Sequence, residues 1–530
     1  MNSLQAVKES IPAGWTTKAG LHWLRVPVSA LLLFGLGLWH LADPPMWWDE
    51  GWTTSVARNW VERGLYGRLL SGQSAPTGLE ASFWVTGPVA LSFRLFGVGI
   101  WQARLFGVLC TVLTLGLIYY LAHRLYNRVV AVGTIAVLLL LSIHPQLHPL
   151  LMGRQVLGEM PMLCYLLAGY TCLLLALRRS TWFIGVAVVC WAVAVSTKAQ
   201  VLPFWALSLL APFIWTVVQR RWRVAMLLCA SIFATLGGVQ LLLMGMNIVW
   251  QGHRVAATSE YGTVTGLYDV LAIVPTLFNR LFALQNVLVI GVPTLCGLGY
   301  AANRLWHDLH RDHTQVTEAT IILRLVLWSV SGSWLAWFVL LSVGVPRYLF
   351  PATFIGSIFV AAFLYDLTDH FNVMTTLNRA IQGLLHQRWN RQTAGAWLVL
   401  LLLMEAFPLT LRTISHYYLH GEDRSAQRVA QFLDTITPPH ALIETYESEL
   451  HFLLHRPYHF PPDQTHVTLN HRSLLGQTVT VDYDPLAANP DYLVLGTFSK
   501  GNNLYTPVLK SGAFRLIHED GQYSVYQRVR

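Results

Sequence analysis

Charged residues are scarce in this sequence, and their scarcity excludes an ordinary soluble domain. Only 12% of the 530 residues are charged, whereas 54% are hydrophobic, and the mean hydropathy is +0.46. Soluble domains carry about 25% charged residues, which they need to cover a water-exposed surface. The excess apolar side chains must therefore face lipid. The 21 tryptophans and 20 tyrosines fit the aromatic belts of membrane interfaces.

Cysteine is also infrequent, and its pattern points to neither a metal nor a disulfide. The six cysteines lie in apolar runs, and none falls in the polar C-terminal segment. They are Cys110, Cys164, Cys172, Cys190, Cys229 and Cys296. Because their spacing fits no zinc motif and no polar loop offers a pair, we interpret all six as small buried hydrophobic residues.

Long apolar runs recur along the chain and predict a polytopic α-helical membrane protein. A spanning helix needs about 20 mostly apolar residues, and this rule predicts about eleven spans. They lie near 22–42, 101–122, 128–144, 158–177, 180–197, 199–218, 223–246, 284–302, 322–343, 348–366 and 395–413. The run from Val28 to Leu41 is interpreted as part of an uncleaved first helix and not as a signal peptide, because many spans follow it.

The basic residues of the loops predict the orientation. With these spans, the clusters at 123–128, 178–179, 220–223, 304–311 and 388–391 all fall on the same side as the N-terminus. Since cytoplasmic loops are enriched in Lys and Arg, we expect a multi-pass protein of the cell (inner) membrane with a cytoplasmic N-terminus. The net charge of +9 is attributed to these loops and not to nucleic-acid binding. Residues 1–413 then form the membrane domain.

Three stretches are predicted to lie along the membrane or to enter it only partly. Two belong to the first outer loop, residues 43–100. The stretch 49–66 alternates between polar and apolar residues, and 83–96 is apolar but short and contains Gly87-Pro88 and Arg94. The third stretch is 255–283. We interpret all three as interfacial helices.

The composition becomes polar after residue 414, and residues 414–530 are predicted to form a small extracytoplasmic α/β domain. An amphipathic helix is expected over 424–436 and strands over 441–445 and 492–496. Two further strands, 514–517 and 523–527, flank the turn Glu519-Asp520-Gly521, which is typical of a hairpin. The acidic stretch 444–449 is interpreted as a strand and a helix start, and alternatively as a cap that contacts an acceptor.

Two adjacent carboxylates, Asp49 and Glu50, stand just beyond the first span, flanked by Trp47, Trp48 and Trp52. Such a pair at a membrane surface can serve as a general base and a helper. The alternative is that Asp49 caps the following helix as an N-terminal anion. The residues alone leave both interpretations open.

Three cations lie on the predicted outer face, against the positive-inside bias: Arg154, Lys198 and Arg347. Snorkelling cations are common, but three at one face suit a phosphate at headgroup level. Glu159 lies near the outer end of a span, where a charge is costly unless it is paired or solvated. We therefore expect Asp49 and the three cations around one outward-facing cavity that takes a lipid-linked phosphate.

Two histidines, His144 and His148, are spaced four apart in the same region. This spacing can place a metal pair on one helix face, but Pro145 and Pro149 argue against a helix. We favour interfacial histidines over a metal site. A Gly-rich nucleotide loop is missing from the sequence, as expected if the substrate is carried on a lipid.

These residues resemble the GT-C superfamily of membrane glycosyltransferases. Within it, the chain is similar to the bacterial family 39 group, which is related to protein O-mannosyltransferases and to the lipid A aminoarabinose transferase. Four stretches within residues 22–366 carry the likeness. They are Trp48-Asp49-Glu50, the run from Leu91 to Val98 with Ala103-Arg104-Leu105, Thr197-Lys198, and Pro346-Arg347-Tyr348-Leu349-Phe350-Pro351.

The resemblance implies an inverting transfer of a sugar from a polyprenyl-phosphate donor to an extracytoplasmic glycan, lipid or protein. Asp49 would be the general base, with Glu50 beside it in the site. Lys198 and Arg347, together with Arg154, would bind the donor phosphate, and Glu159 and Tyr348 would line the substrate site. No cofactor is required, although Asp49 and Glu159 are candidates to share a divalent metal.

One departure from the family bears on the substrate. Related enzymes often carry Lys-Pro-Pro or His-Pro-Pro after the first loop, where this chain reads Ser74-Ala75-Pro76-Thr77-Gly78. The identity of the sugar and the acceptor is therefore open. Two alternatives to an enzyme remain: a transporter or flippase of lipid-linked sugars, and a glycan-binding scaffold. A transporter should show inverted repeats or broken helices at mid-membrane, and the sequence shows neither.

Overall fold

The computed structural model describes residues 28–75, 81–250, 271, 273–274, 276–310, 317–385, 390–475, 478 and 480–529. Eight helices within these ranges are long and apolar enough to cross a membrane. They are Ile100–Leu125, Glu159–Arg178, Ala199–Val218, Trp222–Met246, Leu277–His310, Glu318–Leu340, Pro346–Leu367 and Gln392–Leu419. Each coincides with one predicted span. Three of them contain short 3-10 or π segments, at Ala199–Val201, Val287–Gly291 and Pro346–Leu349.

Of the other three predicted spans, 128–144 and 180–197 form shorter helices, and 22–42 is described only from residue 28. The apolar helices below 18 residues are Val28–Leu38, Phe83–Phe96, Arg128–Leu140 and Phe183–Thr197. At 1.5 Å per residue, none of the four matches the ~30 Å apolar thickness of a bilayer by its helical length alone. The stretch 83–96, predicted as interfacial, is thus a separate 14-residue helix. Most of the predicted stretch 255–283 lies outside the described residues.

Large aromatic side chains fill the centre of the helical bundle. Trp191, Trp205 and Trp334 are fully buried, and the Tyr170 hydroxyl lies 2.7 Å from Ser208 Oγ. The six cysteines are free thiols, two buried and four partly buried. The prediction that they are small core residues fits this packing.

The C-terminal region contains a five-stranded mixed sheet. Its strands are β3 (Ile443–Thr445), β4 (Tyr458–His459), β5 (Tyr492–Leu495), β6 (Phe514–Asp520) and β7 (Tyr523–Arg528), whereas β1 (Leu69–Leu70) and β2 (Gln73–Ser74) form a hairpin in the first outer loop. The sheet order is β4-β3-β5-β7-β6. The first three strands are parallel, and β7 runs antiparallel to both of its neighbours.

The predicted elements of this region are present. Its helices are Ser425–Ile436, Ser448–Leu453, Asp463–Leu475, Thr497–Gly501 and Thr506–Lys510. The last apolar span continues to Leu419, so the predicted domain boundary at 414 falls inside a helix. Strands β3 and β5 are buried along their whole length.

The sheet region packs directly on the first outer loop. That loop contains the helix Trp48–Arg63, here called the outer-loop helix, and Trp48 and Trp52 share one hydrophobic core with the C-terminal region. Trp48 Nε1 donates to the carbonyl of Tyr446 at 2.8 Å, and its ring stacks on His466 at 4.6 Å. The two parts of the chain therefore form one packed unit.

Two arginines of the loop strengthen this packing. Arg68 makes a bidentate ion pair with Asp463, at 2.8 and 2.9 Å, and both side chains are buried. Arg58 donates to the carbonyls of Phe452 and Leu454. Paired buried charges are costly to separate, because each partner left alone keeps its desolvation penalty.

Gly51 generates the first testable prediction, because it allows the closest approach between the two parts. An ideal Cβ on Gly51 would lie 2.1 Å from the carbonyl carbon and oxygen of Ser448. Alanine favours a helix over glycine by about 1 kcal/mol, but overpacking costs about 1–3 kcal/mol or more, and backbone atoms must move here. We expect Gly51→Ala to lower the thermal unfolding midpoint and to speed proteolytic cleavage after residue 419.

Gly35→Ala is the matched control. Gly35 also lies in a helix, but nothing lies within 4 Å of its ideal Cβ. Equal midpoints and equal cleavage rates for the two variants would contradict close packing at Gly51.

Glu449 generates a pH-dependent prediction. Burial, and then the neighbouring Glu447 carboxylate, raise the pKa of Glu449 to about 8, and Tyr523 donates to it at 2.5 Å. Between the ordinary pKa near 4.5 and the raised pKa, the unfolded chain releases this proton whereas the folded chain keeps it. Folding stability from this group is thus lost as pH rises through that window.

Glu449→Gln is neutral in both states, so we expect its unfolding midpoint to fall less than that of the wild type between pH 5 and pH 8.5. Tryptophan fluorescence of the detergent-solubilised protein measures the midpoint. Glu422→Gln, at an exposed position, serves as the control. A pH profile of Glu449→Gln that runs parallel to the wild-type profile would refute the assignment.

Candidate functional site

Asp49 lies in the first turn of the outer-loop helix, and its carboxylate faces an arginine from a distant part of the chain. Asp49 Oδ2 lies 2.6 Å from Arg347 Nη1, and its side chain is 35% exposed. The helix begins after Trp47, and the backbone N–H of Trp47 donates to Glu50 at 2.8 Å. Glu50 therefore makes the side-chain contact at the helix end, whereas Asp49, also an acid of the first turn, pairs with Arg347 and remains accessible.

Glu50 is fully buried and accepts four hydrogen bonds. Besides the Trp47 N–H, the donors are the Val156 N–H at 2.8 Å and Arg104, through Nε at 3.1 Å and Nη2 at 2.7 Å. Arg104 also donates to the carbonyls of Leu41, Pro44 and Pro45. The prediction gives Glu50 a place in the site as the neighbour of Asp49, but in the structure its carboxylate is enclosed by protein. Its contacts position the loop.

A second carboxylate, Glu159, joins the two predicted phosphate-binding cations. Glu159 Oε1 lies 2.5 Å from Lys198 Nζ and 3.2 Å from Arg347 Nε. Together with the contact between Arg347 and Asp49, these contacts form a continuous chain of ion pairs, here called the charge cluster: Asp49, Arg347, Glu159 and Lys198. Lys198 and Arg347 are 22% and 17% exposed, so both can be reached from outside.

The local sequence explains why these residues meet. Lys198 ends the helix Phe183–Thr197, and Glu159 begins the helix Glu159–Arg178. Arg347 lies in a 3-10 turn that starts at Pro346, just before the helix Phe350–Leu367. Residues at helix ends and in the turns between helices converge at one end of the bundle, so three distant motifs share one place.

Tyr348 lies beside both cations. Its ring centroid is 5.6 Å from Lys198 Nζ and 5.8 Å from Arg347 Cζ, within the range of cation-π attraction. Trp334 Nε1 donates to its carbonyl at 2.8 Å. Of the predicted substrate-site residues, Glu159 thus belongs to the charge cluster and Tyr348 contacts its two cations.

Arg154 lies apart from this cluster, which corrects the expectation of one cavity surrounded by three cations. Its guanidinium stacks on the Tyr418 ring at 4.4 Å and donates to the carbonyl of His40. Within the described ranges it makes no ion pair with Asp49 or Glu159. The reason is local: Arg154 follows the short helix Pro149–Met152 and turns toward the last span, whereas Val156 turns toward Glu50.

The geometry does not fit a divalent metal shared by Asp49 and Glu159. Arg347 lies between the two carboxylates and supplies the positive charge there. The part of the chain that the structure describes contains no group of three His, Cys, Asp or Glu side chains able to hold a metal ion. His144 and His148 make other contacts: His144 accepts from the Gln146 N–H, and His148 Nε2 lies 3.2 Å from the carbonyl oxygen of Leu139.

Two contributions were not assigned from the sequence. Arg104 belongs to the motif Ala103-Arg104-Leu105, to which the sequence assigns no role. A charged residue so close to the start of an apolar span does, however, indicate a buried ion-pair partner. Gln146, whose Oε1 accepts from the Arg347 N–H at 3.2 Å, carries no sequence signal of its own.

The acidic stretch 444–449 makes contacts inside the sheet region, which fits its interpretation as a strand and a helix start. Glu444 accepts hydrogen bonds from His459, Tyr483 and Tyr505. Glu447 accepts from three backbone N–H groups.

Comparisons with known proteins agree with this architecture. Residues 83–250 match the model of the dolichyl-phosphate-mannose-protein mannosyltransferase family. No curated protein sequence matches the chain. The fold is similar to that of ArnT from Cupriavidus metallidurans bound to undecaprenyl phosphate, with a TM-score of 0.60 and 15% identity over 96% of this chain and 98% of that chain.

A second similar structure is the oligosaccharyltransferase of Archaeoglobus fulgidus tethered with an acceptor peptide. It has a TM-score of 0.54 and 14% identity, over 96% of this chain and 74% of that chain. The chain therefore has the fold of the GT-C membrane glycosyltransferases, as its outer-loop motifs predict, and residues 83–250 match the mannosyltransferase family model.

Proposed function

We propose that the protein is a glycosyltransferase that moves a sugar from a polyprenyl-phosphate donor to an extracytoplasmic acceptor, with Asp49 as the general base. The observation that carries the proposal is the charge cluster: an accessible carboxylate in direct contact with one cation, and a second cation linked through Glu159. The similarity to ArnT bound to undecaprenyl phosphate supports the class of donor.

The donor phosphate would bind by displacing a carboxylate. Asp49 and Glu159 balance the charges of Arg347 and Lys198, so the cluster is neutral overall. A phosphate offers a guanidinium the same bidentate geometry as a carboxylate. When the phosphate takes Arg347, Asp49 loses its ion-pair partner and is free to accept a proton. Glu159 stays between the two cations and keeps them in place.

The reaction would be a single displacement. The acceptor hydroxyl or amine attacks the anomeric carbon, and its proton passes to Asp49. The bond between that carbon and the phosphate oxygen breaks, and the polyprenyl phosphate leaves with the electron pair. Because the acceptor attacks opposite the leaving group, the anomeric configuration inverts. Arg347 and Lys198 stabilise the charge that develops on the phosphate.

Asp49→Asn tests the base. General-base catalysis contributes about 10²- to 10⁴-fold, so we expect a loss of that size in the rate of sugar transfer from a polyprenyl-phosphate donor. Donor binding should not weaken, because the phosphate no longer has to displace the Asp49 carboxylate from Arg347. Mass spectrometry of the lipid and acceptor products measures the transfer rate, and the dependence of that rate on donor concentration reports donor binding. Glu62→Gln is the matched control, because Glu62 lies on the same helix and pairs with Arg58. A transfer rate in Asp49→Asn equal to that of the control would contradict the assignment.

Lys198→Gln tests the phosphate contact. Removing a charge-assisted hydrogen bond costs about 1.5–3 kcal/mol, which predicts that donor binding weakens about ten- to hundredfold. Arg221→Gln is the control, since Arg221 pairs with Glu318 away from the cluster. Movement of the donor across the membrane without sugar transfer in the wild type would favour the transporter alternative. Unchanged donor binding in Lys198→Gln would place the phosphate at another site.

A further inference from the structure

A cavity lies between the first outer loop, the loop that follows residue 141, and the end of the last span. Its volume is about 350 Å³, and Trp47, Arg104, His144, Gln146, Arg154 and Tyr417 contribute to its lining. A more open cavity of about 640 Å³ shares His144, Pro145 and Tyr417 with it. The two cavities are therefore adjacent, with these three residues at their junction, and together they are called the lateral groove here.

Arg154 is the buried cation of the lateral groove. Its side chain is only 2% exposed, and among the described residues its Nε and Nη1 have no hydrogen-bond partner. It stacks on Tyr418, and its Nη2 donates to a carbonyl, but no carboxylate lies within ion-pair distance in the described part of the chain. Asp43 acts on this charge from beyond ion-pair distance, so the buried charge is incompletely compensated, and an anion in the groove would add both a close counter-charge and the missing acceptors.

The outer part of the groove is basic as well. It is lined by the exposed side chains of Arg412 and His416, one turn apart on the last span, and of His420, just after its end. Among the described residues named as lining, neither cavity has an Asp or Glu. Six Arg and His side chains therefore line the two cavities, four in the open part or at the junction and two inside, of which Arg104 is paired with Glu50.

The groove also opens toward lipid. Its outer cavity is lined by Ile143, Val289, Ile290 and Leu409. Val289 and Leu409 are 60% and 41% exposed, and both lie on helices long and apolar enough to span the membrane. Thr413 Oγ1 donates to the Ile143 carbonyl at 2.9 Å, which joins the last span to the loop that closes the groove.

We propose that the lateral groove is a binding site for a membrane lipid with an anionic headgroup, held by Arg154 and distinct from the charge cluster. The phosphate of the headgroup accepts from the free N–H groups of Arg154, and the acyl chains lie along Val289 and Leu409. A free phosphate would use the cation but leave the apolar wall bare, so the combination favours a lipid. The proposal does not depend on sugar transfer.

Photo-crosslinking tests the site. The full-length protein in detergent micelles is illuminated with phosphatidylglycerol that carries a photoreactive group in an acyl chain, and peptides containing Val289 or Leu409 are analysed by mass spectrometry. We expect cross-links at these peptides that fall about tenfold when phosphatidylcholine replaces phosphatidylglycerol. Arg154→Gln should lower the yield about as much, because the variant lacks the charge-assisted hydrogen bonds that the guanidinium donates to the headgroup phosphate.

Three further variants make the result decisive. Arg154→Lys keeps the charge and should retain most of the yield. Arg412→Gln, at an exposed position where folding is not at risk, should lower it severalfold. Arg428→Gln, exposed and paired with Asp520 in the sheet region, should leave it unchanged. Three results would each overturn the proposal. The first is an equal cross-linking yield with the two lipids, and the second is an equal yield in the wild type, Arg154→Gln and Arg412→Gln. The third is full displacement of the lipid by millimolar inorganic phosphate.

Discussion

The outer face of the molecule depends on the buried ion pair between Glu50 and Arg104. Glu50 gathers donors from its own helix end, from Arg104 in the following span, and from the backbone at Val156 in the second outer loop. Arg104 in turn holds three carbonyls of the segment that leads into the helix. Because both side chains are almost inaccessible, water cannot replace these contacts. The pair fixes where Asp49 stands.

That constraint separates two adjacent carboxylates with different roles. Glu50, at the third position of its helix, satisfies an end N–H group and turns inward. Asp49, one residue earlier, lies about 100° away around the helix and meets Arg347. The C-terminal sheet region supports the same helix from another side, through Trp48 and Gly51. The position of the proposed base is thus held by contacts from four distant parts of the chain.

The sequence predicts the elements better than their contacts. Apolar length locates eight spans, and turn residues locate the terminal hairpin, because both signals are local. The same length rule overestimates the helices Arg128–Leu140 and Phe183–Thr197, since the predicted span 128–144 includes residues after the helix end and 180–197 includes residues before the helix start. For the site, unbalanced charge at the outer face indicates Lys198, Glu159 and Arg347. The pattern of charges in the sequence cannot predict that Arg154 turns away from the charge cluster, because its direction depends on how the loop after Met152 packs.

The separation of Arg154 from Arg347 gives the outer face two kinds of cation. Arg347 and Lys198 are neutralised by Asp49 and Glu159, so an anion gains them only by displacing a carboxylate, and binding is coupled to the release of Asp49. Arg154 has no carboxylate within ion-pair distance in the described structure. An anion that binds there therefore displaces no carboxylate and releases no side chain. In the proposed mechanism, Asp49 stays paired with Arg347 until a donor binds, so it is not an idle proton acceptor. Arg154, buried and without a carboxylate within ion-pair distance in the described structure, instead suits the proposed lipid, which would stay bound.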